Sequence, residues 1–414
     1  MRLRFSFLLA FFAFWLFSCS SSDEEGDSWE FESKEIPPDL LDKLENTIVI
    51  KYNNGSPPTI KNSHNEVTIT PDDENVKINV AQATNTEYNL IVGGTAKNGS
   101  LKIYGDYKIG LYLNGVNITN PKGPAINIQN GKQISVSIWG KNYLADGADY
   151  ENSGIEDAKG TFFSEGQLVF SGGGSLEVKA KYGHAIVTDD FFEIESGGII
   201  VQEAEKDGIH ANDEIFVKGG NIKITSKGDA IQNENLPIRI SGGKIVAQTS
   251  GIKSHGISSG DSTVISGTAD VNINVSGNGS KGIKSKGFVA IKGGVINIKT
   301  KGTKDIDKTV IPADTSKVAG IKADGDMDIS GGTLTIESSG SSGKGMSADG
   351  NIVISGGDVS ITADDDGIKA NGDLLISGGN IYVKSYKKKA IDCDGNERIE
   401  VEIEKIDKGG AGGF

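Results

Sequence analysis

Carboxylates are the densest chemical resource of this chain. Asp364, Asp365 and Asp366 stand together, Asp324, Asp326 and Asp328 alternate, and Asp392 and Asp394 flank Cys393. A hard cation such as Ca²⁺ takes roughly six to eight oxygens from carboxylates, carbonyls and water. Asp324, Asp326, Asp349, Asp364, Asp365, Asp366, Asp392 and Asp394 are therefore candidate Ca²⁺ ligands. Their spacing matches neither an EF-hand loop nor a GGxGxDxUx repeat. The plain alternative is that they shape turns and keep the surface solvated.

Aromatic side chains are the second resource, because sugar rings stack on aromatic faces while polar neighbours take the hydroxyls. Aromatics make up only 7% of the chain, yet Tyr104, Tyr107, Tyr112, Trp139, Tyr143, Tyr150, Phe162 and Phe163 fall within 60 residues. Trp139, Tyr143, Tyr150, Tyr104 and Tyr107 are the expected sugar-binding residues, with loop packing as the alternative and Phe162 and Phe163 as core. For catalysis the material is thin. His184, His210 and His255 show no spacing that gathers them with a pair of carboxylates, and only Arg239 and Arg398 lie beyond the N-terminal segment. Lys253, Lys284, Lys322 and Lys369 read as an outward column, either a charge-balanced face or a stand-in for an arginine base.

These residues are positioned by a repeat. DGIHANDEIFVKGGNIKITSKG from Asp207, AGIKADGDMDISGGTLTIESSG from Ala319, KGMSADGNIVISGGDVSITADD from Lys344 and DGIKANGDLLISGGNIYVKSYK from Asp366 are one unit. Ile209 to Ile231 spans 22 residues, Ile321 to Met346 spans 25, Met346 to Ile368 spans 22 and Ile368 to Ile391 spans 23. Periods of roughly 20 to 50 residues mean solenoids, propellers or arrays. Each unit holds three short runs with period-two alternation, separated by Gly or Asp turns. A propeller blade needs a fourth strand and a leucine-rich repeat needs its Leu ladder. The pattern predicts an all-β, right-handed, single-stranded parallel β-helix with three strands per coil, a pectate-lyase-like solenoid. Its expected inward columns are Ile209, Ile231, Ile283, Ile321, Met346, Ile368 and Ile391, and then Ala211, Ser285, Ala323, Ala348, Ala370 and Cys393. Cys393 thus reads as a small buried filler. Two excursions interrupt the count, Asn142 to Gly160 and Thr303 to Val318, and long excursions from regular scaffolds tend to carry function.

The ends read differently. Arg2 and Arg4 precede an apolar run from Phe5 to Phe17, and LFSC closes at Cys19. This is a secretion signal over residues 1–18, too short for a spanning helix. LFSC resembles the lipobox of bacterial lipoproteins, which implies lipidation at Cys19 and an outer-membrane, surface-exposed location. Residues 19–45 are then the lipidated Cys and a disordered acidic tether, residues 46–406 the solenoid, and residues 407–414 a flexible Gly-rich tail. Net charge is −14, which disfavours nucleic acid and anionic lipid as partners; the membrane is reached only through the lipid. A monomer is expected.

NGVNITNPKGPAINI, LADGADY and GTFFSEGQLVFSGGGSLEVKAKYGHAI, followed by the DGI and SGG coils, resemble the polysaccharide-lyase-like carbohydrate-binding β-helix family of bacterial surface proteins. The resemblance covers about Asn114 to Asp394 and implies binding of cellulose or pectin-like polymers with Ca²⁺ present. Pectin lyases are similar in architecture and use an Arg base, which this chain does not place beside its Asp clusters. A non-catalytic, polysaccharide-binding lipoprotein is the expected function. A uronate-cleaving lyase and a structural adhesin or spacer without glycan affinity are the alternatives.

Overall fold

Alternating apolar and polar residues between Gly and Asp turns favour short strands with one face buried. In the computed structural model, which describes residues 34–80, 85–151 and 156–407, those strands wind into a parallel β-solenoid of about 13 turns. The described residues belong to the compact unit Glu32–Phe414. Cys19 and the tail 408–414 lie outside them. Among the described residues no helix is long and apolar enough to cross a membrane.

One coil shows the plan. Ile209–Ala211 forms the first face, Ile215–Val217 the second and Asn221–Ser226 the third. Each strand pairs in parallel with its equivalent one coil on, Ile209 with Ile231, Ile215 with Ile238 and Ile222 with Ile245. In the later coils the second and third faces run as one bent strand, as in Met327–Ser338, Ile352–Ala363 and Leu374–Ser385. The bend falls at the Gly-Gly pair, whose second Gly has positive φ: +86° at Gly332, +90° at Gly357 and +93° at Gly379. Only Gly adopts that conformation without strain.

The Gly of the DGI motif and of its AGI and KGM equivalents has a different cause. A Cβ on Gly320 would lie 2.3 Å from Ile336 Cγ2, and one on Gly345 would lie 2.3 Å from Ile361 Cγ2. The motif therefore marks where the first face crosses over the third-face isoleucine of its own coil. Stacked inward side chains form one continuous core, with Ile209, Ile231, Ile257, Ile283, Ile321, Met346 and Ile368 all fully buried. Each such burial contributes about 1.5–3 kcal/mol.

Several expectations shift. Ile257, not a residue of the neighbouring GIK triplet, fills the Ile column between Ile231 and Ile283. Lys253 therefore leaves the outward column, and Ser258 stands there instead. The reason is a second GI pair five residues on, whose Ile is buried while Ile252 stays 67% exposed. Cys393 keeps its register with Ala370 but is only half-buried, because the coils thin out beyond it; its thiol donates to the Gly372 carbonyl at 3.2 Å. Lys141–Asp146 is a third-face strand, so the first excursion begins after Asp146. The second is an antiparallel hairpin, Asp305–Asp307 with Asp314–Ser316. Residues 34–45 include a single helical turn, Pro38–Leu41, and Lys34 exchanges backbone hydrogen bonds with Gly140 and Gly173 on the solenoid.

Candidate functional site

Each first-face strand turns one residue outward between its buried Ile and its buried small residue. Coil stacking aligns these into a column: His210, Gln232, Ser258, Lys284, Lys322, Ser347, Lys369 and Asp392. From the middle coils onward the column is the floor of a groove of about 630 Å³. The groove is lined by Lys253, Lys281, Lys284, Lys317, Lys322, Lys344 and Lys369, together with His255, Ser347, Asp349 and Asn371.

The hairpin 305–316 makes one wall. Ser316 Oγ donates to the Gly279 carbonyl at 2.7 Å, and Lys281 Nζ donates to the same carbonyl at 2.9 Å. Lys281 Nζ also reaches Ser316 Oγ, so the hairpin base is tied to the floor.

Charge is unequally balanced along this groove. Lys322 meets Asp349 at 2.6 Å and Asp324 at 3.4 Å, Lys344 meets Asp366 at 3.0 Å, and Lys369 meets Asp392 at 2.8 Å and also Asp394. Lys253 has Asp305 at 3.7 Å. Among the described residues no carboxylate comes within 4.0 Å of the ammonium groups of Lys281, Lys284 or Lys317. Burial, reinforced by neighbouring Lys284, lowers the Lys281 pKa to about 8. Burial followed by Lys281 and Lys284 holds His255 well below the usual imidazole value.

A second file of ionisable residues follows the corner just before the first face: His184, Asp207, Asp229, His255 and Lys281, one per coil. It is threaded by hydrogen bonds. The Asp229 N–H donates to Asp207 Oδ1 at 2.7 Å, the His255 N–H to Asp229 Oδ1, and the Lys281 N–H to His255 Nδ1 at 3.0 Å. Burial, reinforced by Asp207, pushes Asp229 up to about 7. Burial would raise Asp207 as well, but the hydrogen bonds of His184 and His210 prevail and hold it well below the usual carboxylate range.

The expected Ca²⁺ ligands are mostly held by lysines. Besides the pairs above, Asp364 meets Lys387 at 3.0 Å, Asp365 meets Lys388 at 2.8 Å, and Asp392 also meets Lys389 at 2.7 Å. Asp326 accepts the Asn351 N–H at 2.7 Å. A Ca²⁺ cage made of these side chains alone does not fit, since an ammonium already stands at all of them but Asp326. Outer oxygens of the exposed pairs remain available to an ion that a ligand carries in.

The expected sugar platform is dispersed. Tyr107 is 1% exposed and packs edge-on to Tyr88, so it belongs to the core and offers no face; it turns inward from the bend between Ser100–Tyr104 and Ile109–Asn120. Tyr104 has Lys77 over its ring at 4.6 Å and its hydroxyl on Glu156. Tyr150 stacks on Tyr182 at 3.8 Å and donates to Asp146 Oδ2 at 2.6 Å. Trp139 sits beside Lys34 at a second-face corner, its Nε1 on Ser137 Oγ at 2.8 Å. Tyr143 points outward on the third face between Asn117 and Glu177. Of the five, Tyr150 lines a second groove of about 390 Å³, with Asn75, Asn98, Asn120 and Asn127.

Comparison with known proteins gives three findings. The model of a family described as carbohydrate-binding domain-containing protein matches residues 72–343 and 339–411. A carbohydrate-binding domain-containing protein of Acetivibrio thermocellus is 32% identical over 115 residues, which is 26% of this chain and 40% of that protein's length. The solved polysaccharide lyase-like protein from C. thermocellum, a gadolinium derivative, aligns with 87% of this chain and 100% of its own, at a TM-score of 0.40 and 18% identity.

Proposed function

The chain belongs to the carbohydrate-binding domain family, and from that premise we propose that it is a non-catalytic polysaccharide-binding protein whose lysine groove takes an anionic glycan, a polyuronate of the pectin type. The observation that carries the reading is the groove's own composition: seven lysines and one aspartate on a chain whose net charge is −14. Four of the seven are paired with aspartates, which leaves the ammonium groups of Lys281, Lys284 and Lys317 without a carboxylate partner among the described residues. Such a cluster on one face of an acidic protein draws polyanions to that face. Rigid stacking adds geometry. The first-face strands from Ile257–Ser259 to Ile368–Ala370 are four spacings apart, about 19 Å at roughly 4.8 Å each, room for several sugar residues.

Ca²⁺ enters this reading as a bridge between uronate carboxylates and the exposed oxygens of Asp324 and Asp349, which border the lysine floor. Chelation then weakens binding without unfolding the chain, and EDTA titration against polygalacturonate retention checks it. The lipid on Cys19 would anchor the solenoid at the outer membrane, facing outward. Cys19→Ala is expected to release the protein to the soluble fraction, and protease treatment of intact cells tests exposure.

The lowered Lys281 pKa predicts a pH dependence. Because the folded value is near 8, Lys281 is charged at pH 7 and largely neutral at pH 9, so polyuronate affinity falls across that window. The same sign makes the fold gain stability as pH rises from about 8 towards the unfolded value near 10.4. Lys281→Arg, which stays charged, is expected to flatten the affinity profile. An unchanged slope in that variant would place the titrating group elsewhere.

A neutral, cellulose-type glycan is the second reading, and the Asn-rich groove at Tyr150 favours it. Asn120→Ala and Tyr150→Ala would then weaken cellulose retention, while substitutions in the lysine groove would not.

A further inference from the structure

We infer that His184, Asp207 and His210 bind a divalent transition-metal ion of the Zn²⁺ class, which clamps successive coils of the solenoid. Two imidazole nitrogens converge on one carboxylate oxygen. Asp207 Oδ2 lies 3.1 Å from His184 Nδ1 and 3.1 Å from His210 Nδ1, and the three ligand atoms all lie within 4.8 Å of one another. A tetrahedral ion with bonds of about 2.0–2.1 Å separates its ligands by about 3.4 Å, so only small side-chain adjustments are needed.

The hydrogen-bond partners orient both rings for ligation. His184 Nδ1 lies 3.3 Å from the Asp207 backbone nitrogen and 3.1 Å from Asp207 Oδ2, contacts that hold the ring with this nitrogen towards the site; an ion would take over its lone pair. On the far side of His210, Nε2 faces Glu234 Oε1 at 3.5 Å. His210 Nδ1 lies 3.1 Å from Asp207 Oδ2 and 3.2 Å from Gln232 Oε1, so an ion bound here would replace the proton those atoms share, with Nε2–H held by Glu234. Asp207 is itself steadied by the Asp229 N–H on its other oxygen.

The donor set selects the ion. Two imidazoles with one carboxylate suit Zn²⁺ and its neighbours, whereas Ca²⁺ and Mg²⁺ prefer all-oxygen sites. The ligand side chains are only 9–11% exposed, and Gln232 or a water completes the sphere. His184 comes from one coil, Asp207 and His210 from the next, and Gln232 and Glu234 from the one after. A bound ion therefore ties the seam where chain stacking alone holds the corner.

The test uses the full chain without a histidine tag, stripped with EDTA and titrated with Zn²⁺ and with Co²⁺. The expected result is one ion per chain, a tetrahedral Co²⁺ absorption band, no displacement by millimolar Ca²⁺, and a higher unfolding temperature with Zn²⁺. His184→Gln and His210→Gln should each weaken uptake by at least about 30-fold, and Glu234→Gln by about 10-fold through the ring it orients. Lys284→Gln, in the groove, should leave uptake unchanged. No stoichiometric uptake by the unaltered chain, or equal uptake by a folded His184→Gln, His210→Gln double variant, overturns the inference.

Discussion

Replacing Lys284, Lys322 and Lys369 together by glutamate is expected to abolish retention on polygalacturonate, lowering affinity by about 100-fold or more. Each reversal removes an attraction and adds a repulsion, on the order of 1 kcal/mol per contact in a solvated groove, and three such terms exceed two decades at about 1.4 kcal/mol each. Lys322 and Lys369 also hold Asp349 and Asp392, so their reversal disturbs local pairing. Lys284→Gln isolates the glycan term, because no carboxylate lies within ion-pair range of that ammonium among the described residues. It should cost about 3–10-fold in affinity, and the unaltered protein should lose affinity steeply with salt. Binding that ignores both the triple reversal and 0.5 M salt would exclude the groove.

The second large effect is on stability. Phe170 is fully buried between Phe162, at 5.8 Å between ring centroids, and Phe192, at 5.3 Å. These three rings fill the solenoid interior where its cross-section must be occupied by aromatic volume. Phe170→Ala is expected to cost about 3–5 kcal/mol through lost transfer energy and the cavity left behind. Because each coil touches only its neighbours, the loss should be local. Amide exchange should accelerate in Gly160–Ser164 and Leu168–Gly172, with little change in the coils beyond Ile283. Hydrogen-exchange mass spectrometry checks this, and a uniform acceleration along the whole chain would refute nearest-neighbour behaviour.

The solenoid was legible in the residues because its two constraints are local. Period-two alternation makes the strands, and the DGI and SGG glycines sit where a Cβ would strike Ile224 or Val383 or where φ must be positive. The register at Ile257 was not, since GIK and HGI offer two GI matches five residues apart and only packing chooses between them. The groove was half-visible: the Lys column could be read, but its wall is a hairpin whose docking depends on Lys281 and Ser316, 35 residues apart. Burial hid the fate of Tyr107, because it sits in a bend between two strands, outside the alternation that sorts inward from outward residues. The lysine partners of the aspartates did carry a signal. Asp366 lies 22 residues after Lys344, and Asp392 lies 23 after Lys369, each one coil apart, so adding the repeat period to every charge would have paired them. The same addition takes His184 to Asp207.

The central claim is that this solenoid holds a polyuronate in its lysine groove without cleaving it. Its most direct test incubates the full chain and the Lys284, Lys322 and Lys369 triple reversal with polygalacturonate and with cellulose, with and without Ca²⁺, following retention and the absorbance of unsaturated uronate together. Retention on polygalacturonate that is lost in the triple variant, with no unsaturated product, is the predicted result. Retention unchanged by the triple variant, or product formation by the unaltered chain, would contradict it. Product would point to Lys281 as a base, and retention on cellulose alone would move the site to the asparagine groove at Tyr150.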